Sequence, residues 1–165
     1  MTGICFQNFD TPRGDLIRKV AGGENHCFLI DGDEAIESLV DVAILPAECA
    51  LGRSEEAWIF STGSQKMDQE VFEAAKSFIG TPYDASYDFD GPDMFCSKLA
   101  WLAIREVGHF VPEPILLSGL NWKPYTNRIA IEAAKYGLTL EQALSRRTIT
   151  PKQIRDCLIE IDYYM

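Results

Sequence analysis

The sequence predicts an α+β domain in which a mostly antiparallel sheet packs against helices. Between residues 15 and 62, Gly and Pro cut the chain into short β-prone pieces. After Gly63 the apolar residues recur at helical spacing instead. Strands followed by helices, without βαβ alternation, favour antiparallel pairing. The chain has 165 residues, 47% hydrophobic and 24% charged. That suits one packed domain over residues 1–165 and excludes a disordered chain.

Taken in order, residues 16–20, 26–30, 35–40, 42–45 and 57–61 read as strands. Met67, Val71, Ala74, Ala75 and Phe78 then mark one face of a helix, which Gly80-Thr81-Pro82 stops. A second helix spans about residues 93–107, with Phe95, Leu99, Leu102 and Ala103 on one face and Gly108 at its end. Residues 112–124 read as loop. Short helices follow, one after Thr139 and one begun by Thr150-Pro151, a capping residue with proline at the first helical position.

Charge and composition narrow the function. Fifteen basic against twenty-five acidic residues give a net charge of −10, which disfavours nucleic-acid backbones and anionic membranes as partners. No apolar run approaches the roughly 20 residues of a membrane span. The best, residues 38–51, is interrupted by Asp41, Pro46 and Glu48, so no stable membrane insertion is expected. The first residues show no basic region leading into an apolar one, so no secretory signal is read. Cys5, Cys27, Cys49, Cys96 and Cys157 are scattered, which suits a reducing compartment better than a disulfide framework. A cytoplasmic location is therefore expected.

No metal or cofactor is expected either. There is no C-x-x-C or H-x-x-x-H spacing for zinc. Asp84, Asp88, Asp90 and Asp93 are interrupted by Pro92 and lack the closing Glu of a calcium loop. Gly22-Gly23 precede a strand, whereas a phosphate loop opens a helix.

Two segments carry chemistry. In H-C-F-L-I-D-G-D-E-A-I-E-S, Asp31-Gly32 is a two-residue hairpin signal, because a type I′ turn needs positive φ at both positions. A turn centred there sets Ile30 opposite Asp33, Phe28 opposite Ala35 and His26 opposite Glu37. Directly opposed side chains have Cβ atoms about 5 Å apart, so Glu37 can accept a hydrogen bond from one ring nitrogen of His26 and raise the basicity of the other. In D-G-P-D-M-F-C-S-K-L, Asp93 is a candidate helix cap that puts Cys96 in the first turn. Unpaired amides and the helix dipole there favour a thiolate and can hold an oxyanion. His109 lies roughly 20 Å along that helix and is not read as the partner of Cys96. Cys27 neighbours His26 but points to the opposite sheet face, so it reads as core.

These pieces, in this order, resemble the circularly permuted papain-like fold of NlpC-type cysteine amidases and peptidases, in its YiiX-like branch. The matching residues are G-D-L-I from Gly14, His26 at a strand start, A-I-E-S with Glu37, F-I-G-T-P-Y-D from Phe78, F-C-S-K-L from Phe95, and I-T-P ending at Pro151. In that family a histidine and its polar partner precede the cysteine, which opens a helix packed on the sheet. The resemblance implies Cys96 as nucleophile, His26 as general base and Glu37 as the carboxylate that orients it. Lys98 departs from the family pattern, which commonly has an acid two positions after the cysteine. Cys27-Phe28 are bulkier than the residues that usually follow the histidine.

The resulting expectation is a thiol hydrolase that forms an acyl-enzyme on Cys96, cleaving an amide of a peptide, isopeptide, cell-wall fragment or lipid. Tyr83, Tyr87 and Ser97 are candidate substrate or oxyanion contacts. The alternatives are a lipid acyl-hydrolase or acyltransferase on the same dyad, and a ligand-binding module of the same fold without turnover. A structural adaptor presenting Trp58, Trp101 and Trp122 to a partner is a third.

Overall fold

A computed structural model describes residues 1–164. Its strands are β1 (Thr2–Gln7), β2 (His26–Asp31), β3 (Glu34–Ser38), β4 (Val42–Pro46), β5 (Ala57–Ser61), β6 (Ile115–Leu116), β7 (Arg147–Thr148) and β8 (Ile159–Tyr164). Its helices are α1 (Pro12–Ala21), α2 (Ala47–Leu51), α3 (Gln65–Lys76), α4 (Cys96–Glu106), α5 (Thr126–Ala134), α6 (Leu140–Leu144) and α7 (Pro151–Arg155). Six strands form one sheet in the order β4-β3-β2-β1-β5-β8, and each neighbouring pair is antiparallel. Strands β6 and β7 form a separate ribbon. The α+β architecture with an antiparallel sheet against helices is thus the observed one.

The sheet has a core on each face. Ile4, Phe6, Leu29 and Ile36 pack with Val71 and Phe72 of α3 and with Leu99, Ala103 and Ile104 of α4. Cys5, Phe28, Ile30, Ala35 and Ile59 form a second cluster with Ala47 and Ala50 of α2. Burying a side chain such as Leu, Ile or Phe fully stabilises by about 1.5–3 kcal/mol, so α4 is pinned along its length and its first residue is fixed in space.

Several elements differ from the expectation. Residues 16–20 are not a strand but lie inside α1. Thr11 caps that helix by accepting from the Gly14 amide, Pro12 opens it, and Gly22 ends it in the left-handed conformation at φ 78°. The β-branched Ile17 and Val20 suggested a strand, whereas the buried pair Leu16 and Val20 follows helical spacing. The unexpected β1 runs between β2 and β5 and is buried along its whole length, so it lacks the polar alternation that marks a strand. Helices α2 and α5 and strand β8 were also not expected. Helices α3, α6 and α7 fall where the spacing put them, and α6 and α7 each begin with a full capping box. Among the described residues no helix is long and apolar enough to cross a membrane.

The β2–β3 hairpin differs in register. Asp31 pairs with Glu34, Ile30 with Ala35 and Leu29 with Ile36. The turn is therefore Gly32-Asp33, with Gly32 at φ 58°, and the strands are displaced by two residues from the expected pairing. A two-residue displacement keeps every side chain on its own face, because the side-chain period of a strand is two.

The G-D-L-I segment has a packing reason. A Cβ on Gly14 would meet the Phe9 carbonyl oxygen at 2.5 Å and the Asn25 amide nitrogen at 2.6 Å. Asn25 in turn accepts from the Phe9 amide (2.8 Å) and donates to the Phe9 carbonyl (3.0 Å). Gly14→Ala is expected to overpack this junction at a cost of about 1–3 kcal/mol, read as a lower urea midpoint. An unchanged midpoint would mean that Phe9 and Asn25 yield freely.

Candidate active site

Cys96 is the first residue of α4. Phe95 at the cap offers no side-chain acceptor, and the first amide to return to the ladder is that of Leu99, which donates to the Phe95 carbonyl. The amides before it have no intrahelical partner. The helix starts later than the expected Asp93, and Cys96 therefore sits at the extreme positive end of the dipole.

His26 opens β2, and Glu37 reaches it from β3. His26 Nε2 and Glu37 Oε2 are 3.2 Å apart, a contact made diagonally across the displaced hairpin. The other Glu37 oxygen accepts from Arg53, which follows α2. The ring of His26 stacks on Phe9 at 4.5 Å between centroids, so the Gly14–Asn25–Phe9 junction supports the imidazole. With Nε2 on Glu37, Nδ1 is the nitrogen left for the thiol. Cys96, His26 and Glu37 are 5%, 2% and 4% exposed, so their ionisation is set by one another.

Burial alone would drive all three toward their neutral forms. The surroundings shift each group the other way. For Cys96 the largest effect is hydrogen bonding from the Cys27 thiol, opposed by burial. The His26 ring and the Cys27 backbone add to the first, and the thiol is held well below its usual range. For His26 burial is the largest single effect, yet hydrogen bonds and charge interactions with Cys96 and Glu37 outweigh it and lift the imidazole to about 9. Glu37 is likewise lowered, because His26 and Arg53 overcome its burial. The arrangement therefore favours a thiolate beside an imidazolium.

Cys27 is core, as expected, and fully buried. It nevertheless lies in the layer that contains Cys96 and contributes to its ionisation, which strand alternation did not reveal. Arg53 was also missed: it follows a five-residue helix that has no periodic signature.

Tyr83 and Tyr87 flank the thiol. The Tyr83 hydroxyl donates to that of Tyr87 at 3.3 Å. Burial pushes both phenols upward, Tyr87 to about 12, so both remain protonated donors. Tyr87 is held at φ 56°, an uncommon conformation for a bulky side chain. Asp84 enforces it by accepting from the Ser86 amide (2.7 Å), the Ser86 hydroxyl (2.6 Å) and the Asp88 amide (2.6 Å). Ser97 departs from its expected role at the side chain: its hydroxyl donates to the Ile149 carbonyl at 2.7 Å and fastens α4 to the segment before α7. Lys98 is buried, and its ammonium donates to the carbonyls of Gly91 (2.6 Å) and Asp93 (2.8 Å). It braces the loop that leads into α4.

His109 lies beyond the far end of α4, where it was expected. Trp101 is 2% exposed and donates to the Pro112 carbonyl, so it presents no surface to a partner. Beside Cys96 and Ser97 opens a cavity of about 130 Å³ lined mainly by apolar side chains from α1, α5 and the segment around β7.

Comparisons with known proteins give a likeness of fold. No known family profile matches the chain, and no curated protein matches it. Among solved structures, the metalloprotein YiiX from Escherichia coli O157:H7 superposes with a TM-score of 0.84 at 18% identity, over 98% of this chain and 96% of that one. The chain thus has the fold of YiiX. The description of that neighbour raises the question of a metal here. Among the described residues no group of three or more His, Cys, Asp or Glu side chains is arranged to hold one. Both oxygens of Glu37 are already engaged by His26 and Arg53. The donor set does not fit a metal ion.

Iodoacetamide alkylation of Cys96, followed by peptide mass mapping, is expected to titrate well below the roughly 8.5 of a free thiol and to change again as His26 loses its proton near pH 9. Glu37→Gln removes an influence that raises His26, so this upper transition should move to lower pH. His26→Ala should return Cys96 toward ordinary thiol behaviour. Identical profiles in all three proteins would dissolve the ion pair.

Proposed function

We propose that this chain is a cysteine hydrolase of the circularly permuted papain-like, NlpC-like type, cleaving an amide through an acyl-enzyme on Cys96. The observation that carries this reading is the buried series Glu37–His26–Cys96, backed by the more exposed Arg53 and ending on a thiol at a helix start. A lowered thiol, a raised imidazole and an ionised carboxylate in hydrogen-bonded sequence are what a nucleophile, its proton carrier and an orienting group require.

The Cys96 thiolate attacks the amide carbonyl carbon, forming the S–C bond and a tetrahedral oxyanion. The first amides of α4 face the developing charge, and the Tyr87 hydroxyl, whose oxygen accepts from Tyr83, has its own proton to offer. As the C–N bond breaks, the His26 imidazolium gives its proton to the departing nitrogen. Water then attacks the thioester with His26 taking its proton, and the carboxylic acid leaves as the thiolate is restored. Glu37 remains ionised throughout, fixing Nε2 and stabilising the imidazolium. No step requires a metal or cofactor.

Incubation with activated amides and esters, followed by intact mass, should show one acyl group on Cys96 and none on the Cys96→Ala variant. His26→Ala should slow acylation by about 10²–10⁴-fold. Failure of every acyl donor to modify Cys96, with the fold intact by circular dichroism, would overturn the hydrolase reading.

A further inference from the structure

The cavity beside Cys96 is a shaped apolar space with a charge at one end. Leu16 and Val20 of α1, Ile129 and Ala133 of α5, and Leu117 and Ile149 are among the side chains that line it. An apolar cavity of 150 Å³ stays dry and takes a benzene-sized guest. By that measure the about 130 Å³ here encloses about four to six carbon atoms of a hydrocarbon chain.

Arg13 and Tyr136 also line this space. Arg13 is half-buried and Tyr136 is 40% exposed, which marks the open end. Arg13 donates to the Ala85 carbonyl (2.6 Å) and the Tyr136 hydroxyl (2.7 Å) and lies over the rings of Tyr87 and Tyr136 at 5.3 and 5.5 Å. All of these partners are neutral. Arg18, Arg53, Arg128, Arg146, Arg147 and Arg155 each meet a carboxylate. The one acid among the lining residues, Glu132, is paired with Lys135. In a chain with twenty-five carboxylates and a net charge of −10, a half-buried guanidinium held only by tyrosines and a carbonyl is poised for an anion from outside. A guanidinium suits carboxylate or phosphate through its planar set of donors.

From the cavity and this unmatched charge we infer that the site takes a medium-chain acyl conjugate: the chain enters the cavity, the carbonyl lies at Cys96, and an anionic group on the other side of the scissile bond meets Arg13. The placement of the carbonyl rests on the hydrolase reading; the binding of chain and anion does not. Two sources share this chemistry, an acylated amino acid and an acylated phosphate ester of an amino alcohol.

Isothermal titration of the Cys96→Ala variant tests binding without turnover, and Cys96→Ser serves if the alanine variant does not fold. The ligands are N-acylglycines from acetyl to decanoyl, N-octanoylglycinamide, and the phosphate monoester of N-octanoylethanolamine. Affinity should rise about fourfold per added methylene and level off near hexanoyl, where the cavity is full. At least one octanoyl anion should bind about tenfold or more tighter than the neutral amide, and Arg13→Gln should erase that preference. The tighter anion identifies the source. Affinity independent of chain length, equal binding of the neutral amide, or a preference that survives Arg13→Gln would overturn the inference. None of these outcomes bears on the alkylation or acylation of Cys96, so the two readings fail separately.

Discussion

The hydrogen bond between His26 and Glu37 is the interaction on which the rest of the site depends. Three ionisable side chains are buried within a few residues of a sheet end, where each alone would be costly in its charged form. Linked in sequence, each supplies the counter-charge of the next, and Arg53, partly open to solvent, completes the chain. Breaking one link in such a buried set typically costs about 3–5 kcal/mol, because the charge left behind has no water to turn to. The fold answers with rigidity: antiparallel pairing holds the two strands, Phe9 holds the ring from one side, and the buried length of α4 fixes the thiol.

The site was legible to the extent that its chemistry follows strand periodicity. The hairpin turn lies one residue later than Asp31-Gly32 suggested, which displaces the pairing by two, yet His26 and Glu37 still meet. A displacement by one would have parted them to opposite faces. The cysteine at a helix start was likewise visible, since a helical apolar pattern begins at that point. What periodicity does not encode was missed. Alternation separates Cys27 from His26, but the start of α4 lies where both residues reach it. Strand β1, buried on both faces, lost the pattern that would have announced it. The cavity wall is drawn from residues between Arg13 and Pro151, and no local spacing brings them together.

Lys98 shows how a departure from a family pattern is absorbed. An ammonium in the first turn of α4 is unfavourably placed with respect to the helix dipole. Here it turns away from the thiol and is held by two loop carbonyls, with Asp84, Asp88, Asp90 and Asp93 surrounding it electrostatically. The run of acids that superficially suggests a cation loop thus serves as counter-charge to a lysine. Asp84 also organises the turn that sets Tyr87. The loop, its lysine and the tyrosine at the site therefore form one electrostatic unit.

Helix α1 connects recognition to chemistry through two adjacent residues. Gly14 lies so close to Phe9 and Asn25 that no side chain fits, and Phe9 stacks on His26. Arg13, one residue earlier, lies at the cavity opening over Tyr87 and Tyr136. A shift of α1 large enough to relieve a contact on the Arg13 side would press on the Gly14 side, where the nearest atom is backbone. The imidazole and the guanidinium are thus held at a set separation by one turn of helix. Peripheral elements such as α5 and α7 supply the remainder of the wall. Specificity can then vary along that wall while the geometry between α1 and β2 stays fixed.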